Sequence, residues 1–391
     1  MIKTDYDIAI VGGGPIGAAV ALALRDSGLS VLVLEARSDA GSSDDARTLA
    51  MSYGSRLILE RLGIWLQIEP LTPIESIHIS QRGGFGRTLL NAQEAQVPAL
   101  GYVVGYARLQ NAFGEAISSP SSPRITLIRG AEVIGMESKP DSITIDVRMV
   151  ESVQAIAARL LIIADGGAST ALRTAATVKV REYRQDAVVG LVATTRPHGR
   201  KAYERFTPDG PVALLPYENR YALVWTAASD TAARLMALST TAFLQALQQH
   251  FGDRAGRFMS IAGRARFPLN LRYVANPVLA RAVMLGNAAQ ALHPIAGQGF
   301  NLGLRDAWEL GEILLLHGMS DPGGEACLSR YRALRRPDRL RGIALTHSLV
   351  KIFSNDIVPL RAARGAALSL LDLVPPVKRA FMQRMIFGAL R

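Results

Sequence analysis

Apolar runs and glycine turns alternate from the start of the chain. "YDIAIVG" is a continuous apolar run closed by a glycine, a pattern that predicts a strand buried on both faces. "AAVALALRDSG" carries helix formers up to Gly28 and predicts a helix that stops there, and "SVLVLEA" predicts a second buried strand. The three make one βαβ unit. Residues 47–66 read as helical, whereas 72–104 hold short β-like runs such as "IESIHIS", broken by Pro73, "RGGFG" and Pro98. A helix is expected at 107–118, then short strands in "RITLIRG" and "SITIDVRMV" and a strongly buried strand in "ARLLIIADG".

The pattern changes over 179–272. "DAVVGLVATT", "GPVALLPYENR", "YALVWTAA" and "RARFPLN" alternate around one expected helix at 240–251, which predicts an antiparallel sheet forming a second domain. After Pro277, "RAVMLGNAAQALHPIAGQGFNLGLRDAWELGEILLL" returns to strand, loop and long helix. Everything beyond about 325 reads as helical, with a break at Pro375 and Pro376. The expected fold class is α/β with an α+β second domain, in which the first domain is interrupted and resumed. No internal repeat is visible, which removes solenoid architectures.

Gly12, Gly14 and Gly17 form G-x-G-x-x-G directly after the first strand and at the start of its helix, and Glu35 closes the next strand 18 residues after Gly17. The first glycine permits the tight turn, the second admits a pyrophosphate close to the backbone, and the third lets helix pack on strand. Unpaired N–H groups and the helix dipole then face the phosphates, while Glu35 accepts from a ribose. This motif alone leaves NAD and FAD open. Asp165 and Gly166 follow a buried strand in "LLIIADGGASTALR", with Ser169 and Arg173 beyond, at the strand edge where open α/β sheets bind ligands; this second acidic turn favours FAD. A third segment holds Gly286, Asn287, Pro294, Gly297, Gly299 and Asn301 ahead of a long helix. Backbone N–H groups from Gly297 through Asn301 would present positive potential to a reduced flavin.

Composition narrows the class. With 49% hydrophobic residues, 20% charged and 35 glycines, the 391-residue chain fits a glycine-rich α/β protein and not a disordered one. The single cysteine, Cys327, excludes an intramolecular disulfide and points to a reducing compartment, the cytoplasm. The six histidines, at 78, 198, 250, 293, 317 and 347, include no pair within one helical turn, so no metal site is expected. Asp5 and Asp7 stand where a signal peptide would be positive, and cleavage there would discard the glycine motif. No stretch reaches the ~18 apolar residues of a spanning helix.

A formal charge of +11 calls for a negatively charged partner: nucleic acid, anionic lipid or a phosphorylated cofactor. No nucleic-acid motif is present. Basic residues cluster in "RYRALRRPDRLRG" at 330–342 and again after Lys378, and read either as a solvated helix face or as a patch facing an anionic membrane.

The three segments, in this order and at these separations, resemble the flavoprotein aromatic hydroxylases of the p-hydroxybenzoate hydroxylase type. "GNAAQALHPIAGQGFNLGLRDA" is particularly similar to the 2-polyprenyl-6-methoxyphenol hydroxylases of ubiquinone biosynthesis, as are 46–65 and 331–356. Many members of the wider family have Gly-Asp where this chain has Gly286-Asn287; ubiquinone-type members include Asn, so the departure points to that subfamily. The resemblance implies a Rossmann-like FAD-binding domain made of 1–75, 102–178 and 275–340. It also implies an inserted antiparallel-sheet substrate domain made of 76–101 and 179–274, and a C-terminal helical region at 341–391.

It further implies that Gly12, Gly14 and Gly17 hold the ADP pyrophosphate, Glu35 the ribose with Arg37 beside the adenine, Arg47 the pyrophosphate and Arg108 the ribityl chain. Asp165 and Gly166 would serve FAD and NAD(P)H, and Asn287 would stand near the ribityl phosphate. The implied activity is hydroxylation of a prenylated phenol with O2 through a flavin hydroperoxide, with NADPH or NADH as donor. The cofactor carries the difficult step, and the protein supplies a dry pocket and an oriented ring.

For the base that activates the phenol, His293 beside Pro294 and Tyr217 after Pro216 are the candidates, each with an ordinary packing role as its alternative. The expected location is cytoplasmic and peripheral at the inner face of the membrane, with other ubiquinone-biosynthesis proteins as candidate partners. Two rival readings remain: a flavin oxidase or dehydrogenase on the same fold, and a non-catalytic flavin-binding scaffold. A flavin halogenase is disfavoured because Trp65, Trp225 and Trp308 stand far apart.

Overall fold

The computed structural model describes residues 5–38, 47–150, 152–169, 176–353, 355 and 357–388; Arg173 lies outside them. The continuous apolar run near the N-terminus forms the strand Tyr6–Val11, central in an eight-stranded sheet. Its neighbours Val31–Glu35 and Val153–Ile163 run parallel to it, and Ile125–Arg129 and Ala282–Met284 extend the parallel layer on either side. Both faces are covered, which is why these strands read as unbroken apolar runs. Helices Pro15–Ala23, Tyr53–Arg61, Tyr106–Ile117 and Gln298–His317 pack on one face around Ile8, Ile10, Val31 and Val33. Strands Glu132–Ser138 and Ile143–Arg148 curl over the other face, around Ala9, Leu32 and Leu161.

The register of this layer determines the site. Val11 pairs with Ile163 and Leu34, and Ile163 pairs with Met284, so four strands end at one edge. The residues at or just beyond their ends, Gly12, Glu35, Asp165 and Gly286, span 274 positions of sequence from Gly12 to Gly286 yet line one cavity.

A second eight-stranded sheet holds Phe258–Val274, Val178–Thr194, Arg220–Ala228, Val212–Tyr217, Lys201–Phe206, Ser76–Gln81 and Arg87–Asn91 in that order, with Gln290–Ala291 at its edge. It is antiparallel except between Lys201–Phe206 and Ser76–Gln81, which run parallel. This one parallel pairing departs from the wholly antiparallel expectation: Ser76–Gln81 enters from a distant part of the chain and needs no hairpin to reach its neighbour. Two helices cover its outer face, Thr240–Phe251 as expected and Ser229–Ala237 in addition.

Residues 48–52 differ from the helical expectation. Thr48–Ser52 is a strand, paired antiparallel with Gly101–Gly105 in a three-stranded sheet, and the helix begins only at Tyr53, capped by Ser52 accepting from the Ser55 N–H. The C-terminal region forms Glu325–Phe353, Val358–Leu373 and Pro375–Phe387. Pro375 opens the last helix at a position where its missing N–H costs nothing. Helix Val358–Leu373 lies directly on the strand Arg87–Asn91: Thr88 Oγ1 donates to the Leu368 carbonyl at 2.7 Å.

The basic stretch 330–342 is only partly a surface. Arg335 and Arg339 are buried; Arg335 bridges Asp306 at 2.8 Å and Asp338 at 2.7 Å, and Arg339 donates to the Val274 carbonyl at 2.7 Å. These residues therefore join helix Glu325–Phe353 to helix Gln298–His317 and to the second sheet, a role that neither a solvated face nor a lipid patch describes. Lys378 is likewise buried, against Glu94 at 2.8 Å and Asp372 at 3.2 Å. Among the described residues no helix is long and apolar enough to cross a membrane.

Candidate active site

A cavity of about 1110 Å³ runs from the strand edge of the first sheet to the inner face of the second. That exceeds the ~300–1,000 Å³ of ordinary small-molecule sites. It leaves room for two ligands end to end. Gly12, Gly14, Glu35, Arg37, Arg47, Asp165, Gly166, Gly286, Asn287, Pro294, Gly297 and Gly299 all face it.

At the first turn the glycines meet different demands. A Cβ on Gly17 would collide with the Gly12 carbonyl, so the third glycine is there for helix-on-strand contact. A Cβ on Gly14 would meet nothing within 4 Å, and Gly14 opens onto the cavity as the N-cap of helix Pro15–Ala23. That N-cap makes no side-chain hydrogen bond, and neither does Gly297, the N-cap of helix Gln298–His317 in the left-handed region at φ 59°. Neither helix has an acidic residue in its first turn. Two helices thus present uncapped N–H groups and positive dipole ends to one space, an arrangement suited to an anion.

Glu35 accepts from the Gly13 N–H at 2.9 Å through Oε2, and from the Arg37 N–H at 3.1 Å and Arg37 Nε at 2.9 Å through Oε1. Burial works to raise its carboxyl, but these bonds and the Arg37 charge outweigh it and hold the group below the usual carboxylate range. An ionised carboxylate has roughly four acceptor positions. Three are used, and Oε2 keeps one for a ligand hydroxyl. Arg47 lies over the Tyr106 ring, 4.4 Å from its centroid.

Asp165 closes the second turn by accepting from the Gly167 N–H at 2.7 Å and the Ser169 N–H at 2.8 Å. Arg272, at the end of strand Phe258–Val274, ties this turn to the third: it donates to the carbonyls of Gly167 at 3.1 Å, Gly166 at 3.0 Å and Asn287 at 3.1 Å. Sequence reasoning missed Arg272, because nothing near it marks a strand arginine as a clamp.

Five expected site residues do not face the cavity. Gly17 is in the helix–strand contact described above. Arg108 donates to the Pro70 carbonyl at 2.6 Å and lies 3.9 Å from Glu218, outside the lining of the cavity. Asn301 is buried and fully engaged: Oδ1 accepts from the Ser52 N–H at 2.8 Å and Ser55 Oγ at 2.7 Å, and Nδ2 donates to Ala50 at 3.1 Å and Gly297 at 2.7 Å. It fixes the loop to the three-stranded sheet from behind. Tyr217 packs in a cluster with Ile74, Val103 and Ala202. Its phenol is pushed up by burial and by the Glu218 charge.

His293 is 1% exposed and lies behind the loop. Its Nδ1 accepts from the Ile295 N–H at 3.2 Å, which leaves the proton of the neutral ring on Nε2, edge-on to Tyr183. Burial lowers it to about 4, so it is neutral at physiological pH and shapes the turn. Its neighbour Pro294 does face the cavity.

The far half of the cavity is apolar but for Glu204. The second sheet presents Ile77, Ile79, Leu215, Phe267 and Leu269, and the three C-terminal helices close over them with Leu349, Phe353, Leu368, Leu371, Phe381 and Met385.

Three ligand-ready turns on a parallel sheet, joined to an apolar chamber, define a dinucleotide-dependent enzyme of the oxidoreductase type. A family model described as an FAD binding domain matches residues 5–341. The chain belongs to this family, its cofactor is FAD, and it is a flavoprotein monooxygenase. It is 36% identical to ubiquinone hydroxylase UbiL of Rhodospirillum rubrum over 98% of this chain and 90% of that one. It is 33% identical to 3-demethoxyubiquinol 3-hydroxylase of Escherichia coli over 97% of this chain and 98% of that one. Among solved structures, p-nitrophenol 4-monooxygenase PnpA of Pseudomonas putida superposes with a TM-score of 0.79 at 19% identity, covering 100% of both chains, which shows a shared fold.

Proposed function

We propose that this protein hydroxylates the ring of a prenylated phenol in ubiquinone biosynthesis, with FAD as cofactor, O2 as oxidant and NAD(P)H as reductant. The observation that carries this reading is the continuity of the cavity: the turns that suit a dinucleotide open directly into an apolar chamber under the C-terminal helices. The relatives named as ubiquinone hydroxylases support it at the level of the whole chain.

In this reading the uncapped start of helix Pro15–Ala23 and Gly14 bind the pyrophosphate, and Oε2 of Glu35 binds the adenosine ribose. Arg37 lies along the adenine, Arg47 and Asp165 flank the phosphates and ribityl chain, and Pro294 through Gly299 hold the flavin ring. FAD supplies the activation of O2, and the chain supplies position, dryness and electrostatics. The chain divides functionally into an FAD-binding domain of 1–75, 102–178 and 275–340, a substrate domain of 76–101 and 179–274, and a helical lid of 341–391.

The lid also suggests where the substrate comes from. Leu370, Leu373 and Val377 are exposed at 60%, 76% and 52% on the helices that roof the apolar chamber, with Arg379 exposed beside them. An anionic membrane surface fits this combination, at the inner face of a membrane from a cytoplasmic position.

Purified protein tests the proposal. It should be yellow, consume NAD(P)H when given a short prenylated phenol, and yield a product heavier by one oxygen. NAD(P)H-independent substrate dehydrogenation would favour an oxidase, and flavin binding without turnover would favour a scaffold.

A further inference from the structure

The strand Lys201–Phe206 turns Ala202, Glu204 and Phe206 toward the cavity. Glu204 stands opposite Ile79 on one side and Ala213 on the other, and the row continues through Val224 to Val189. All of these neighbours are apolar and face the cavity. The other carboxylates and guanidinium groups of the cavity wall, on Glu35, Arg37, Arg47, Glu132 and Asp165, belong to the dinucleotide end. Among the described residues Glu204 is therefore the one charged group of the apolar chamber, and no described residue gives it a hydrogen bond or an ion pair.

Its place along the strand is informative. Ala202 packs in a cluster with Ala50, and a Cβ on Gly297 would lie 3.3 Å from the Ala50 Cβ. Phe206 packs with Ile295 and stacks on Phe353 at 3.8 Å. Glu204 is the residue between these two contacts. It faces the chamber between the Pro294–Gly299 loop and the C-terminal roof.

A carboxylate with no partner is costly to keep in an apolar wall, so a ligand group that donates to it is the expected counterpart. We propose that Glu204 is a further catalytic residue, the carboxylate that takes the hydrogen bond and then the proton of the substrate's ring hydroxyl. In this step the ring O–H bond breaks, an O–H bond forms on the Glu204 carboxyl, and the negative charge moves from the carboxylate to the ring oxygen. The ring becomes richer in electrons at the positions beside and opposite that oxygen. The assignment rests on the phenol-hydroxylase reading above.

Protonation supports the role. Burial pushes the Glu204 carboxyl up to about 7, close to the operating range in which a general base works best. The packed elements leave that burial uncompensated: Ile79 and Ala213 beside it on the sheet, and Leu349, Phe353, Leu368 and Phe381 from the three roofing helices, carry no charge. His78 alternates with Ile77 and Ile79, so it points to the other face of the sheet. There it meets Arg254, and the Tyr203 ring packs against His78, Tyr221 and Phe251. Arg205 alternates with Glu204 in the same way and points away with them.

The test compares 2-prenylphenol with its methyl ether on FAD-loaded protein, by quenching of flavin fluorescence from pH 5.5 to 9. Wild type is expected to prefer the phenol over the ether by roughly ten- to a hundredfold above pH 7, with an inflection near that pH. Glu204→Gln is expected to lose both the preference and the inflection while binding the ether and FAD as wild type does. If Glu204→Gln keeps the preference and the inflection, the assignment is wrong. If that variant fails to load FAD, isotope-edited infrared difference spectra of wild type decide: phenol, but not the ether, should raise a protonated-carboxyl band, and no band overturns the assignment. Wild type that binds phenol through Glu204 yet forms no hydroxylated product would contradict the proposed function and leave Glu204 only as the hydrogen-bond partner of the ring hydroxyl. Product formation that Glu204→Gln leaves unchanged at every pH would do the reverse.

Discussion

Arg272 and Gly166 meet across the two large sheets: the guanidinium Nη2 donates to the Gly166 carbonyl at 3.0 Å. The same nitrogen reaches the Asn287 carbonyl, so a residue of the second sheet holds two of the three glycine-bearing turns of the cavity in register. Hydrogen bonds from a charged donor contribute about 1.5–3 kcal/mol each at most, and losing one such contribution weakens binding roughly ten- to a hundredfold. Arg272→Met is expected to raise the Kd for FAD by that factor. Arg272→Lys should recover only part of it, since an ammonium cannot span three carbonyls as a planar fork does. Titration of flavin-stripped protein with FAD measures both.

Gly14 and Gly17 separate binding from folding. Gly14→Ala has open space and an extended backbone at φ −70°, so the flavin-free protein should keep its thermal midpoint while its FAD affinity falls. Gly17→Ala forces a methyl group against the Gly12 carbonyl, and the flavin-free midpoint itself should drop. Parallel melts with and without FAD check the contrast.

Asn301→Leu leaves the Ser52 N–H, Ser55 Oγ, Ala50 carbonyl and Gly297 carbonyl without their partner in a buried position. Each unsatisfied buried group costs ~1–3 kcal/mol, so a loss of several kcal/mol is expected in urea denaturation, large on the scale of point mutants.

The acid limb of stability should carry a histidine signature. Burial comes first among the causes that lower His293, His78 and His250 to about 4. The unfolded chain protonates these rings near the ordinary ~6.5, while the folded chain resists until about 4. Stability therefore falls as pH drops through that window, and His293→Gln should make the fall shallower by about one proton. Urea midpoints between pH 7 and 4.5 give the slope.

Glu204 acts in the opposite sense. Its folded value is raised to about 7, so its protonated form stabilises the fold at low pH and that contribution is lost as pH rises from ~4.5 through 7. Flavin-free Glu204→Leu should be more stable than wild type at pH 8, on the order of 2 kcal/mol, and the gain should vanish at pH 4.5.

Much of this was legible in the sequence, for reasons that differ by residue. The Gly12, Gly14, Gly17 and Glu35 pattern is local: the turn, the helix contact and the strand end all lie within one βαβ unit, so the demands that fix the residues can be read off their spacing. The buried parallel strands announce themselves because both of their faces are covered. The strand Thr48–Ser52 does not, because its partner Gly101–Gly105 is distant and pairing overrides the helical look of 47–66.

Glu204 and Arg272 were invisible for a related reason. "KAYERF" reads as an ordinary amphipathic strand, and only the parallel pairing with Ser76–Gln81 puts Ile79 beside Glu204 and turns that face inward. Asn301 was noticed for its place in the loop, but its role belongs to residues 246 and 249 positions away, Ser55 and Ser52. His293 attracted attention as a titratable group beside the loop; burial makes it neutral and puts it behind the wall.

The central claim is that one cavity brings FAD and a phenol ring together for oxygen transfer. The most direct measurement supplies FAD-loaded protein with NAD(P)H, a prenylated phenol and heavy-isotope O2, and weighs the product. The account predicts a hydroxylated ring bearing one heavy oxygen, formed only when FAD is present. A product whose new oxygen comes from water, or consumption of O2 to hydrogen peroxide with the phenol unchanged, would contradict it.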